Sequence, residues 1–140
     1  MSTLKIGICG WGNVATGLYK IAKKNIESIK KQGNLDIEIV VIGARRDNPN
    51  CKPENVIIER DIFNVVNHDI DVMVELIGGV DVAKDLILKA LKKKKHVVTA
   101  NKAVIYNHGD EIFACAKENG VKVLFESSVC AGTPLSLIHI

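Results

Sequence analysis

Leu4-Lys5-Ile6-Gly7-Ile8-Cys9-Gly10-Trp11-Gly12-Asn13-Val14-Ala15-Thr16-Gly17-Leu18 is the stretch whose reading decides the fold. Its first six residues, Leu4 to Cys9, are mostly apolar, as a central strand of a parallel sheet must be when both of its faces are covered. The next six fit the spacing G-x-G-x-x-G/A and run straight into Val14, Leu18, Ile21, Ala22 and Ile29. These recur at helical spacing, with Lys20, Lys23, Lys24 and Lys30 on the outer side. The order is therefore strand, tight turn, helix. Gly10 permits the turn, Gly12 lets backbone approach an anion with no Cβ in the way, and Ala15 allows the helix to pack closely on the strand. Gly17, further along, reads as a second close-packing site. A glycine turn can merely connect strand to helix. Placed after an apolar strand and opening a helix, whose N–H groups and positive dipole end face the turn, it favours pyrophosphate.

Outward from this turn the same rhythm repeats. Ile37 to Ile42 is a second apolar run, Val56 to Ile58 a weaker third, and Val72 to Ile77 a fourth that ends in Gly78-Gly79. Ala83, Leu86, Ile87, Ala90 and Leu91 trace one stripe of a helix over Val80 to Lys94. His96 to Thr99 is a fifth strand, Asp110 to Glu118 a helix closed by Asn119-Gly120, and Val121 to Phe125 a sixth strand. Strands alternating with helices predict an α/β fold, a Rossmann-type doubly wound, mostly parallel sheet with helices on both faces, in the order 3-2-1-4-5-6. Ligands of such sheets bind beyond the carboxyl ends of the strands.

Those ends carry the candidate site. Dinucleotide contacts are expected from Gly10, Trp11, Gly12, Asn13 and Val14, from Ile77, Gly78 and Gly79 after the fourth strand, and from Thr99, Asn101 and Lys102 after the fifth. An acid commonly follows the second strand to hold the adenosine ribose, but here the strand ends Gly43-Ala44-Arg45-Arg46-Asp47. Ala44, Arg45 and Arg46 are the corresponding contacts. Two guanidiniums in place of the carboxylate suit a 2′-phosphate, so NADP is the expected cofactor, with NAD possible. The arginines equally suit a solvated turn, with Asp47 paired to one of them. Thr99 and Asn101 either contact the nicotinamide ribose or amide, or cap the turn. Lys102 stands where a nicotinamide would lie, placed to give a proton to an aldehyde oxygen, more readily if partial burial lowers its pKa.

Composition bounds the alternatives. With 47% apolar and 25% charged residues in 140, one soluble core is expected. A net charge of +3 without a basic, aromatic-laced patch gives no reason to expect nucleic acid. Lys92 to Lys95 reads as a cationic tail suiting a helix carboxyl end. The four cysteines, Cys9, Cys51, Cys115 and Cys130, form no C-x-x-C pair and read as reduced thiols. No signal peptide or membrane-length apolar stretch is evident, so a cytoplasmic location and no membrane partner are expected. His68 is placed near a helix end, His108 at a loop end where a helix starts, and Glu75 and Asp81 at a strand end and a helix start.

Several of these segments resemble homoserine dehydrogenases: the Gly10 to Gly17 turn, Glu75-Leu76-Ile77-Gly78-Gly79, His96-Val97-Val98-Thr99-Ala100-Asn101-Lys102-Ala103, and Phe125-Glu126-Ser127-Ser128-Val129. The resemblance spans Leu4 to Pro134. It implies an enzyme that reduces aspartate 4-semialdehyde to homoserine with NAD(P)H, in threonine and methionine biosynthesis, with Lys102 at the catalytic centre. It also implies a monovalent cation such as Na⁺ held by Glu126 and the carbonyls of Val129, Ala131 and Thr133. Cys130, Ala131 and Thr133 depart from the family's usual residues there, and Lys94 stands where the family often has a helix-ending glycine. Residues 1–134 are read as the NAD(P)-binding domain, and Leu135 to Ile140 as a non-native tail resembling a translated library-adaptor sequence. In the family a substrate-binding and dimerising domain follows, so the complete protein is expected to be a homo-oligomer, and the 140-residue chain to bind cofactor without turning over the small-molecule substrate. The competing readings are another Rossmann amino-acid reductase and a non-enzymatic NAD(P)-sensing module.

Overall fold

A computed structural model describes residues 2–12, 15–20, 35–49 and 51–125. Six parallel strands form its sheet: β1 (Ser2–Cys9), β2 (Leu35–Gly43), β3 (Ile57–Glu59), β4 (Val72–Glu75), β5 (His96–Thr99) and β6 (Val123–Phe125). Their order is β3-β2-β1-β4-β5-β6, the doubly wound arrangement expected from the sequence. Residues 15–20 are helical (α1), and α2 (Asp81–Lys92) and α3 (Lys102–Glu118) complete the described helices.

Alternation along the strands sorts the core into two layers. Ile6, Ile8, Ile37, Ile39, Ile42, Val72, Val74 and Val98 face the side carrying Ala15, Leu18 and Tyr19 of α1. Cys9, Val41, Met73, Val97 and Val123 face the side covered by α2 and α3. The register of β1 against β2 shifts between Ile6 and Gly7, where Ile39 and then Val41 are the partners. This bulge at Val40 explains why Ile42, and not Val41, rejoins Ile37 and Ile39 on the α1 side. All five residues of the expected α2 stripe are fully buried; Leu86, Ile87 and Leu91 each contribute roughly 1.5–3 kcal/mol by leaving water.

One element has no counterpart in the sequence reading, and three expectations are corrected. The β3–β4 crossover is made by a 3-10 turn over Ile62–Asn67, whose Asp61 cap accepts the Phe63 N–H at 3.1 Å. Its Val65 sits so close to Gly7 and Gly43 that a Cβ on either would lie 2.8–2.9 Å from a Val65 methyl. Helical structure begins at Lys102, eight residues before Asp110, because Asn101 caps it; α3 is two helical segments joined at a kink at His108 (φ −135°), the second of which is the helix expected after that residue. β4 ends at Glu75, since Gly78 and Gly79 turn away with φ of 74° and 75°. A Cβ added at Gly17 would have nothing within 4 Å among the described residues, which gives the close-packing reading of that glycine no support there.

Both long helices end alike. Gly120 (φ 67°) follows α3, with Val121 N–H bonded to the Ala116 carbonyl and Gly120 N–H to Lys117. That hold on Val121 is why β6 starts two residues later than expected, at Val123. After α2 the same pair of bonds runs from Lys95 to Ala90 and from Lys94 to Leu91, but the left-handed residue is Lys94 (φ 65°).

Candidate functional site

The carboxyl ends of β1, β2 and β4 open into a cleft of about 720 Å³ at the point where strand order reverses. Gly10, Trp11, Gly12, Arg45, Arg46, Ile77 and Gly78 line it, together with Asn48, Pro49, Ile62, Leu76 and Val82. Its size is that of a small-molecule or cofactor site, about 300–1,000 Å³.

At the β1 end, Gly10 has φ 111° and donates its N–H to the Gly43 carbonyl at 2.8 Å. A Cβ there would lie 2.8 Å from the Leu76 carbonyl oxygen, so both conformation and space demand glycine. Trp11 turns its ring inward, edge-on to Tyr19 at 5.5 Å, and its carbonyl accepts from the Asn48 side chain. Its part in the cleft is thus the backbone, with the indole a core residue. Gly12 is exposed, with nothing within 4 Å of a Cβ, and its carbonyl accepts the Thr16 N–H that closes the first helical turn. The backbone at Gly12 is thus open to solvent at a helix start, among the described residues. Ala15, buried at 1% exposure, packs the helix on the sheet as expected. Asn13 and Val14 lie outside the described residues.

At the β2 end, Arg45 and Arg46 are exposed and enter no ion pair among the described residues. Asp47 does not pair with either. Its carboxylate is taken by Arg60 at 2.6 Å, and the same guanidinium donates to the Ala44 carbonyl at 3.2 Å. With its N–H bonded to Glu59, buried Ala44 is anchored on both sides and supports the turn without lining the cleft. Arg60, which the sequence reading passed over, thus clamps the arginine turn and pairs with Asp47, which also lines the cleft. Its signal was faint: a lone arginine after a weak strand. Beside it, Glu59 accepts from His68 at 3.0 Å and from Asn64 at 2.7 Å, and these contacts hold its carboxyl below the ordinary range. His68 caps the 3-10 turn, as its expected place near a helix end required.

At the β4 and β5 ends, Glu75 is buried and accepts from Ile77 N–H (2.9 Å) and from the Thr99 hydroxyl (2.7 Å). Thr99, fully buried, in turn accepts the Asn101 N–H at 3.0 Å. Asn101 caps α3 through Val104 N–H and donates to the Gly79 carbonyl. Of the two readings left open for this pair, the described contacts are those of capping. Lys102, the first residue of α3, is exposed, so the partial burial considered for it is not found. Gly79, Thr99, Asn101 and Lys102 are not among the residues that line the cleft.

Other groups serve the fold. Burial pushes the Cys9 thiol far above its ordinary value, assisted by the Glu75 charge, which leaves it an inert core residue. Cys51 and Cys115 are also unpaired. Among the described residues no group of three or more His, Cys, Asp or Glu could hold a metal ion, and no helix is long and apolar enough to cross a membrane. Cys130, Glu126, Val129, Ala131, Thr133 and the Leu135 to Ile140 tail fall outside the described residues.

With this geometry in hand, the comparisons are specific. The family described as "Homoserine dehydrogenase, NAD binding domain" matches residues 10–126. A curated homoserine dehydrogenase of Pseudomonas aeruginosa is 49% identical over 136 residues, covering 96% of this chain and 31% of its own. The crystal structure of Staphylococcus aureus homoserine dehydrogenase at pH 7.5 is 37% identical with a TM-score of 0.81, covering 91% of this chain and 33% of its own. That of a homoserine dehydrogenase from Thiobacillus denitrificans is 35% identical with a TM-score of 0.82, covering 90% and 30%. The chain spans about a third of the length of the relatives it matches.

Proposed function

The chain belongs to the homoserine dehydrogenase family, and we propose that it binds NADP(H) along the carboxyl edge of its sheet and, within the complete enzyme, serves the reduction of aspartate 4-semialdehyde to homoserine. The observation that carries the cofactor reading is one cleft lined by both an open glycine cradle and two unpaired arginines. Gly12 at the helix start suits the pyrophosphate, and Arg45 and Arg46 suit a 2′-phosphate. Gly78, open and left-handed, leaves room for backbone to approach the ligand between them.

A bound nicotinamide supplies the hydride. In this reading Lys102, exposed at the start of α3, gives a proton to the aldehyde oxygen. Residues orienting the semialdehyde's carboxylate and amine are expected from the remaining two-thirds of a family member. A monovalent cation at Glu126, Val129, Ala131 and Thr133 rests on the resemblance, and oxygen ligands of that kind suit Na⁺. A sensing module would need the glycine turn and the arginines but no exposed lysine beside the nicotinamide. Membership of a family whose curated relatives are named as dehydrogenases favours the enzyme.

The test is a titration of the purified chain with NADPH and NADH, followed by nicotinamide fluorescence. Each charge-assisted bond to the 2′-phosphate is worth roughly 1.5–3 kcal/mol, or ten- to a hundredfold in affinity. NADPH is expected to bind tighter by at least the lower factor, and Arg45→Ala to narrow the gap. Equal or tighter NADH binding overturns the arginine argument.

A further inference from the structure

We propose that Glu75 is a positioning residue for the nicotinamide half of the cofactor site, acting through a closed circuit of hydrogen bonds that sets the Gly78-Gly79 turn and the start of α3 at a fixed separation. This rests on the reading of the cleft as an NADP(H) site.

The circuit is continuous. One Glu75 oxygen takes the Ile77 N–H and so aims the chain into Gly78-Gly79. The other takes the Thr99 hydroxyl, whose oxygen takes the Asn101 N–H. From Asn101 the amide nitrogen returns to the Gly79 carbonyl, closing the circuit, while the amide oxygen caps Val104 N–H directly behind Lys102. Each residue type is used fully. Asn101 needs one donor end and one acceptor end, which neither Asp nor Leu supplies. Thr99 must donate and accept at once, and Glu75 must accept from two donors.

Glu75 is 1% exposed and enters no ion pair among the described residues, so its two oxygens are met by the Ile77 and Thr99 donors, which an apolar side chain would leave without a partner. What an apolar residue cannot do is tie β4's loop to β5's. Those loops carry Gly78, whose backbone lines the cleft, and Lys102, so the tie determines whether a nicotinamide fits between them.

The experiment measures binding of two ligands to the intact chain: NADPH, and adenosine 2′,5′-bisphosphate, which lacks the nicotinamide half. In Glu75→Gln the new NH₂ faces one of the two donors, so one tie breaks at constant volume. NADPH should weaken roughly tenfold or more while the bisphosphate binds as in wild type. Thr99→Val and Asn101→Asp, which keep β5 and the α3 cap respectively, should show the same split, and Thr99→Ser, which keeps the hydroxyl, should restore NADPH binding. If Glu75→Gln fails to fold, these variants decide the matter. Unchanged NADPH affinity, or proportional loss of both ligands, overturns the positioning role. A wild-type chain that binds neither ligand overturns the cofactor reading itself.

Discussion

Two glycines of one turn should respond oppositely to the same methyl group. Gly10→Ala forces φ 111° on an alanine and sets its Cβ 2.8 Å from the Leu76 carbonyl oxygen and 3.0 Å from the carbonyl carbon. The backbone strain costs about 1–3 kcal/mol. The overlap adds about 1–3 kcal/mol, because the obstacle is main chain and no rotamer relieves it. Lower entropy of the unfolded alanine chain offsets about 0.4–1 kcal/mol. The net loss is roughly 1–6 kcal/mol, a large part of a domain's total, and lowers Tm by roughly 3–20 °C. Gly12→Ala, with nothing within 4 Å and φ outside the left-handed region, should stay within about 0.5 kcal/mol of wild type. Its methyl instead occupies the space through which backbone would meet the pyrophosphate, so NADPH affinity should fall roughly tenfold or more. Thermal melts and nicotinamide fluorescence on the same preparations separate the effects. A Gly10→Ala chain destabilised by less than about 1 kcal/mol, or a Gly12→Ala chain that binds NADPH normally, refutes the division of labour.

Lys94→Gly should stabilise the chain by about 0.5–1 kcal/mol, since a non-glycine residue in the left-handed region costs about 1–2 kcal/mol and the Nζ contacts to Asn119 are long and exposed; a lower urea midpoint than wild type would contradict the capping argument. Glu59 titrates below its ordinary 4.5 in the folded chain, chiefly through His68 and then Asn64, so its contribution is complete above about pH 4.5 and is lost as pH falls through the lowered value. Urea midpoints should therefore drop more steeply below that pH in wild type than in Glu59→Gln, and identical profiles would remove Glu59 from the acid response. In a full-length family enzyme carrying this domain, Lys102→Ala should lower kcat/KM by roughly 10² or more with less change in cofactor affinity; near-normal turnover would return Lys102 to the solvated surface.

Much of this architecture was legible because buried parallel strands leave a plain trace. Leu4 to Cys9, Ile37 to Ile42 and Val72 to Glu75 are near-continuous apolar runs, and handedness rules then leave few orders for six strands. The α2 stripe was legible for the same reason: burial of one helical face imposes a period. Where the sequence misled, the local signal pointed the wrong way. His108 reads as a loop end where a helix starts, and the backbone does leave the helical region there, but a first helical segment already runs from Asn101's cap up to that kink, and Val104 and Ile112 bury one residue from each segment. The 3-10 turn is too short to show a period, and its fit depends on Gly7 and Gly43, far off in sequence.

The site divides along the same line. Glycines reveal themselves by spacing, whereas a polar residue's role depends on a partner that spacing does not show. Asp47 adjoins Arg45 and Arg46 in sequence but its ion pair is with Arg60, and among the described residues neither Arg45 nor Arg46 has one. Asn101 lies 22 residues beyond Gly79, whose carbonyl it holds. One polar clamp thus braces the arginine end of the cleft and another the lysine end, and neither clamp supplies the groups argued to meet the ligand. Substitutions at Arg60 and at Glu75 should therefore be separable by ligand, the first felt through the 2′-phosphate and the second through the nicotinamide. Loss of both responses together from either residue would mean that the two ends of the cleft form one mechanical unit.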